Sequence, residues 1–77
     1  MARVVLVVDD EPLVLAVAVG MLEDLGCEVI AASNGHEALE KLSAEPRVEV
    51  LTTDIEMPGM DGYELVDAAT NVRDSLK

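Results

Sequence analysis

Three aspartates in two separate segments are the residues of this sequence best suited to chemistry. Asp9 and Asp10 follow one short apolar run, and Asp54 follows another run further along the chain. Carboxylates brought close together repel one another, and a hard divalent cation, naturally Mg²⁺, relieves that repulsion. Because Mg²⁺ leaves part of its coordination to water and phosphate oxygens, an aspartate beside it can act as a nucleophile toward phosphorus. The pattern therefore predicts a magnesium-assisted phosphoryl-transfer site.

An alternative interpretation is that these acidic residues cap helices at a solvated surface, where Asp and Glu are common. Capping accounts well for Asp61, which precedes a helical pattern. It accounts poorly for an acidic pair at the end of one strand that faces an aspartate at the end of another. The metal-site interpretation is therefore favoured.

Three short apolar runs predict the strands that position the aspartates. The first run, residues 4–8, is continuous and mostly β-branched, which is typical of a central strand covered on both faces. The other two runs are residues 28–32 and 48–53. Strands that alternate with helices form a parallel sheet, and the loops after the strand carboxyl ends meet at one edge. The predicted class is α/β, in the order βαβαβα.

Helix boundary signals lie between and after these runs. Pro12 suits a first helical position, and Gly26 follows the apolar segment as a stop signal. Asn34 and Glu37 have the spacing of a capping box, which predicts a helix from Gly35 to about residue 42. A third helix is predicted after Asp61, with a shared apolar face formed by Leu65, Val66, Ala69 and Val72.

Composition narrows the range of functions. The chain has 77 residues and a net charge of −11, so it fits one small domain whose partners are cations or proteins rather than nucleic acid. The single cysteine, Cys27, cannot form an internal disulfide, which favours a reducing compartment, the cytosol. No uncharged stretch approaches the roughly 20 residues that a membrane span needs, so no membrane partner is expected.

Three segments resemble the receiver domain of two-component response regulators: VVDDEP at residues 7–12, NGHEAL at 34–39 and DIEMPGMDG at 54–62. The resemblance extends from the first strand through the third helix. It implies a doubly wound, flavodoxin-like parallel sheet with strand order 2-1-3. The third segment is the most specific of the three.

The resemblance also implies the roles of individual residues. Asp54 would accept a phosphoryl group from a phosphohistidine of a histidine kinase or a histidine phosphotransfer protein. Asp9 and Asp10 would hold Mg²⁺, with Asp10 and Asp54 as direct ligands and the main-chain carbonyl of Glu56 completing the protein ligands. The resemblance is also compatible with self-catalysed phosphotransfer, and we expect no conventional enzymatic turnover.

The sequence departs from the family pattern in its length. A receiver domain normally has five βα units, whereas this sequence ends at Lys77 after the third. We therefore expect residues 1–77 to form a partial receiver domain that lacks the Ser or Thr after strand four, the aromatic residue on strand five and the Lys after strand five. Because phosphoryl transfer depends on fixed charge stabilisation, we expect phosphorylation to be impaired.

Two other functions remain open. The first is a non-catalytic interaction or dimerisation module, since Leu13 to Val19 are apolar on every side and the third strand would keep an open edge. Either surface could support a homo-oligomer. The second is a metal-dependent phosphohydrolase, which we rank last because Glu56 stands where a second assisting Asp would be needed.

Overall fold

The computed structural model of the chain describes residues 3–53 and 62–72. Three strands and three helices alternate within these residues, so the predicted order βαβαβα is confirmed. The elements are β1 (Val4–Val8), α1 (Pro12–Asp24), β2 (Glu28–Ala32), α2 (Gly35–Ala44), β3 (Val50–Thr53) and α3 (Gly62–Val72).

The described strands form one parallel sheet in the order β2-β1-β3, so the predicted order 2-1-3 is confirmed. The central strand is β1, and all five of its residues are buried, as its continuous apolar run predicts. Its last residue, Val8, is paired with Ala32 on β2 and with Thr53 on β3. The three carboxyl ends are therefore level at one edge of the sheet.

The main core lies between the sheet and the helices α2 and α3. Alternate β1 residues, Val4, Leu6 and Val8, contribute to it from the sheet. Helices α2 and α3 contribute Leu42 and Leu65, which are fully buried, together with the smaller Ala38 and Ala69. Helix α1 lies against β2 and β1 on the opposite face of the sheet.

Several boundaries differ slightly from the sequence predictions. Strand β3 begins at Val50 rather than residue 48, because the Val48 N–H donates a hydrogen bond to the Glu45 carbonyl (3.3 Å) and closes a turn there. Helix α2 continues two residues past the predicted end, to Ala44. Gly26 has a φ of 89°, which agrees with its predicted role as the residue that stops α1.

The predicted apolar face of α3 is only partly confirmed. Leu65 and Ala69 are buried, but Val66 is 47% exposed, so including Val66 in the packed face was wrong. Each residue advances about 100° around a helix, so Val66 lies about 100° from Leu65 and about 60° from Ala69, at the margin of the packed face. The side chain of Val72 and the predicted cap at Asp61 lie outside the described part of the structure.

The predicted cap of α2 is confirmed at Asn34. Its Oδ1 accepts a hydrogen bond from the Glu37 N–H at 2.8 Å. The Glu37 carboxylate accepts a hydrogen bond from the Ser33 hydroxyl at 2.8 Å, so the return contact reaches one residue further back than a standard capping box. These bonds fix the segment that follows the carboxyl end of β2.

Candidate functional site at the strand carboxyl ends

The level ends of β1 and β3 define the candidate site. Val8 and Thr53 are partners in the sheet register and are the last residues of their strands. The next residues in the sequence are Asp9 and Asp54. Ligand sites of open parallel sheets lie outside such carboxyl ends, so this edge is where the fold favours chemistry.

Asp9 is held firmly by its own backbone and side chain. Its N–H donates to the Ala32 carbonyl at 3.2 Å, which extends the pairing of β1 with β2 by one residue. Its Oδ1 accepts a hydrogen bond from the Glu11 N–H at 2.9 Å and forms a tight turn into α1. The carboxylate is half-buried, and its second oxygen takes no part in that turn.

Asp10 and Glu11 follow Asp9 and are exposed. Both lie just before Pro12, where the positive end of the α1 dipole stabilises negative charge. An open cleft of about 380 Å³ lies beside them, lined by Asp9, Glu11, Val14 and Thr53 among others. Its lining combines carboxylate and hydroxyl oxygens with apolar side chains.

The remaining predicted site residues, Asp54 and Glu56, lie outside the described residues, as do Met57 and Met60. Within residues 3–53 and 62–72, no group of three or more Asp, Glu, His or Cys side chains is placed to hold a metal ion. The predicted magnesium site draws half of its ligands from outside those ranges. Its geometry therefore stays a prediction.

Lys41 belongs to none of the sequence motifs, yet it makes a defined contact in the structure. Its Nζ donates to the Ala31 carbonyl at 2.7 Å and lies 3.3 Å from the Glu37 carboxylate. The hydrogen bond from the Ser33 hydroxyl, followed by the contacts with Lys41, lowers the pKa of the Glu37 carboxyl below its usual value. The spacing of Glu37 and Lys41 predicts their ion pair, but no sequence signal indicates the contact with β2.

The outer surface of α1 is unusually apolar, as its sequence suggested. Leu13, Val17 and Met21 are 81%, 62% and 63% exposed, and they line one shallow apolar hollow with Val14 and Ala18. No residue of α1 is fully buried. Exposed apolar side chains that cluster in this way mark a surface for contact with another molecule.

No described helix is long and apolar enough to cross a membrane.

The chain belongs to the response regulator receiver domain family, whose family model matches residues 5–76. The fold and the level strand ends described above agree with that membership. The family resemblance inferred from the three acidic and glycine-containing segments is therefore confirmed.

Curated relatives include parts of much longer proteins. The chain is 42% identical over 64 residues to a sensor histidine kinase, GacS of Pseudomonas protegens, which covers 83% of this chain and 7% of the relative. It is 40% identical over 76 residues to the uncharacterised transcriptional regulatory protein YesN of Bacillus subtilis, covering 95% of this chain and 20% of the relative. The chain thus spans a small part of these two proteins.

Solved structures show the same fold. The chemotaxis protein CheY4 of Vibrio cholerae matches with a TM-score of 0.91 at 35% identity, covering 97% of this chain and 62% of that chain. The response regulator TrrA of Thermotoga maritima, solved in complex with Mg(2+)-BeF, also matches with a TM-score of 0.91 at 35% identity, covering 97% of this chain and 64% of that chain.

Proposed function

We propose that the chain is a phosphoacceptor domain in which Asp54 takes a phosphoryl group from the phosphohistidine of a histidine kinase or a histidine phosphotransfer protein. The observation that carries the proposal is the sheet register. Val8 and Thr53 end side by side, and an aspartate follows each of them in the sequence. The similarity to a sensor histidine kinase, GacS, supports placement in two-component signalling.

In the proposed reaction an Asp54 carboxylate oxygen attacks phosphorus and the bond between phosphorus and the donor imidazole nitrogen breaks. The nitrogen keeps the bonding electrons and takes up a proton, and an acyl phosphate forms on Asp54. The carboxylates of Asp9 and Asp10 alone would repel the incoming phosphoryl group. The reaction therefore needs a positive charge beside these carboxylates.

The donor set at this edge fits Mg²⁺. Asp9 has a carboxylate oxygen that is not used in its turn, and Asp10 is exposed beside it. We propose Asp9, Asp10, Asp54 and the main-chain carbonyl of Glu56 as the residues that hold the ion. When bound, Mg²⁺ supplies charge neutralisation at the phosphoryl oxygens. The related structure of TrrA with Mg(2+)-BeF supports this choice of metal.

Mg²⁺ is expected to stabilise the folded chain, because a ligand that binds only the folded state adds about 1.4 kcal/mol at ten times its dissociation constant. Asp10→Asn removes a ligand and relieves carboxylate repulsion, but it also removes a negative charge that the α1 dipole stabilises. Without Mg²⁺ this variant should therefore be about as stable as the wild type, and it should gain little stability when Mg²⁺ is added. Thermal unfolding followed by circular dichroism measures both effects.

The matched control for this experiment is Glu23→Gln, which makes the same charge change at an exposed position near the other end of α1. It should keep the wild-type response to Mg²⁺. An equal gain in stability for Asp10→Asn and the wild type would exclude Asp10 as a ligand, and no gain in the wild type would exclude the site.

The test of the proposed function is the location of the phosphoryl group. The folded chain is incubated with Mg²⁺ and phosphoramidate, which carries a phosphorus–nitrogen bond like that of phosphohistidine. We expect a hydroxylamine-sensitive acyl phosphate that peptide mass spectrometry places on Asp54. Asp54→Asn should remain unlabelled. Labelling of another residue, or none after prolonged incubation, would contradict the proposal.

The exposed apolar surface of α1 favours a second candidate function, a non-catalytic interaction or dimerisation module. A folded chain that is never labelled at Asp54 but associates through α1 would support it.

In either function we place the chain in the cytosol, with proteins and cations rather than nucleic acid or membranes as partners. The net charge of −11 and the free, half-buried Cys27 support that placement.

A further inference from the structure

Strand β2 has one side paired with β1 and one side facing outward. The Glu28 N–H donates to the Arg3 carbonyl at 2.8 Å, and the Ala32 carbonyl accepts from the Asp9 N–H. In a parallel strand the backbone groups of successive residues point to alternate sides. The N–H and C=O groups of Val29 and Ala31 therefore point away from β1.

Such an outer edge is a template for pairing with another chain. β2 is an edge strand of the described sheet, and its side chains from Val29 to Ala31 carry no charge. A short apolar edge with outward N–H and C=O groups would accept an added strand unless something blocks it. Natural sheets commonly block their edges with charged side chains, especially lysine.

The side chain of Lys41, a residue of α2, lies at the outer edge of β2. Its Nζ reaches from α2 to the Ala31 carbonyl at 2.7 Å, which is the outward acceptor identified above. The same ammonium lies 3.3 Å from the Glu37 carboxylate, and Glu37 accepts a hydrogen bond from Ser33. The Lys41 side chain is 43% exposed, so its charge meets water while its donor group occupies the edge.

We propose that Lys41 closes the outer edge of β2 to strand addition by another polypeptide, including a second copy of this chain. An added strand would have to displace the ammonium from the Ala31 carbonyl and bring its own backbone against a cation. Both requirements disfavour pairing. Glu37 holds the Lys41 side chain along α2, but the contact that blocks the edge is the one made by Lys41.

The test replaces Lys41 by methionine, which keeps an apolar stem and removes the ammonium. Hydrogen exchange at the Val29 and Ala31 amides, measured by NMR at two protein concentrations, reports pairing at the edge itself. In Lys41→Met we expect exchange at these amides to slow by at least about tenfold at the higher concentration. In the wild type the exchange should not depend on concentration.

Two control variants separate the edge contact from other effects. Arg47→Gln removes one positive charge from a side chain that bonds to the Glu28 and Glu45 carboxylates, so it should behave as the wild type does. Glu37→Gln breaks the ion pair with Lys41 but leaves the Ala31 bond available, so it should also leave the edge closed. Edge pairing by either control at the level of Lys41→Met would overturn the proposal.

The remaining outcomes are also decisive. If Lys41→Met associates but its Val29 and Ala31 amides exchange at the wild-type rate, or if it does not associate, the proposal is wrong. If that variant does not fold, Lys41→Gln replaces it, with the same amides as the readout. Lys41→Arg, which keeps a cationic donor, should restore concentration-independent exchange.

Discussion

The 77 residues alone are expected to be phosphorylated at Asp54 more slowly than a complete receiver domain, by a factor on the order of 10² to 10³. Removing one preorganised charge contact at an active site has that effect on rate. The family resemblance places one such contact, a lysine, after strand five. Attack by Asp54 brings further negative charge to an edge that already carries Asp9 and Asp10. Loss of the lysine should therefore raise the free energy of the transition state.

The measurement is the initial rate of mass increase after addition of acetyl phosphate and Mg²⁺. The chemotaxis protein CheY4 of Vibrio cholerae, 62% of whose chain is covered by this one, is measured in parallel, and Asp54→Asn of this chain is the blank. Equal rates for the two proteins would show that this chain does not need the lysine. A rate per chain that rises steeply with protein concentration would show instead that a second subunit supplies the missing charge.

The strands were predictable because their sequence signal is strong and local. The β-branched run from Val4 to Val8 has to be covered on both faces, and only the centre of a parallel sheet provides that. Once the order βαβαβα is recognised, right-handed crossovers bring the strand carboxyl ends to one edge. The register that pairs Val8 with Thr53 follows from the same rules, and Asp9 is the residue after Val8.

Other features depend on the three-dimensional arrangement and could not be predicted locally. The start of β3 is set by the turn that Val48 closes with Glu45, and hydrophobicity alone gives an earlier start. Val66 looks like a core residue by type, yet its exposure depends on the rotation of α3 against the sheet. The Lys41 contact joins α2 to the edge of β2, ten residues earlier in the chain. It depends on how closely the two elements pack, which no rule of sequence spacing describes.

Self-association through α1 is the other large expected effect. Replacing Leu13, Val17 and Met21 by glutamine should weaken association by a factor of at least about 10³, since burying each apolar side chain contributes about 1.5 kcal/mol or more and both copies lose all three. All three side chains are more than half exposed, so the substitutions should hardly change the free energy of unfolding. Association of the wild type should strengthen with salt, because each copy carries a net charge of −11 and screening reduces repulsion.

Sedimentation equilibrium from micromolar to millimolar protein measures the dissociation constant, and urea unfolding confirms that the triple variant keeps its stability. Val66→Gln, on the exposed side of α3, is the matched control and should associate as the wild type does. If the triple variant associates as strongly as the wild type, association through α1 is wrong. Backbone pairing at the outer side of β3 would then join the copies. A wild type that stays monomeric over the whole range would contradict self-association through either surface.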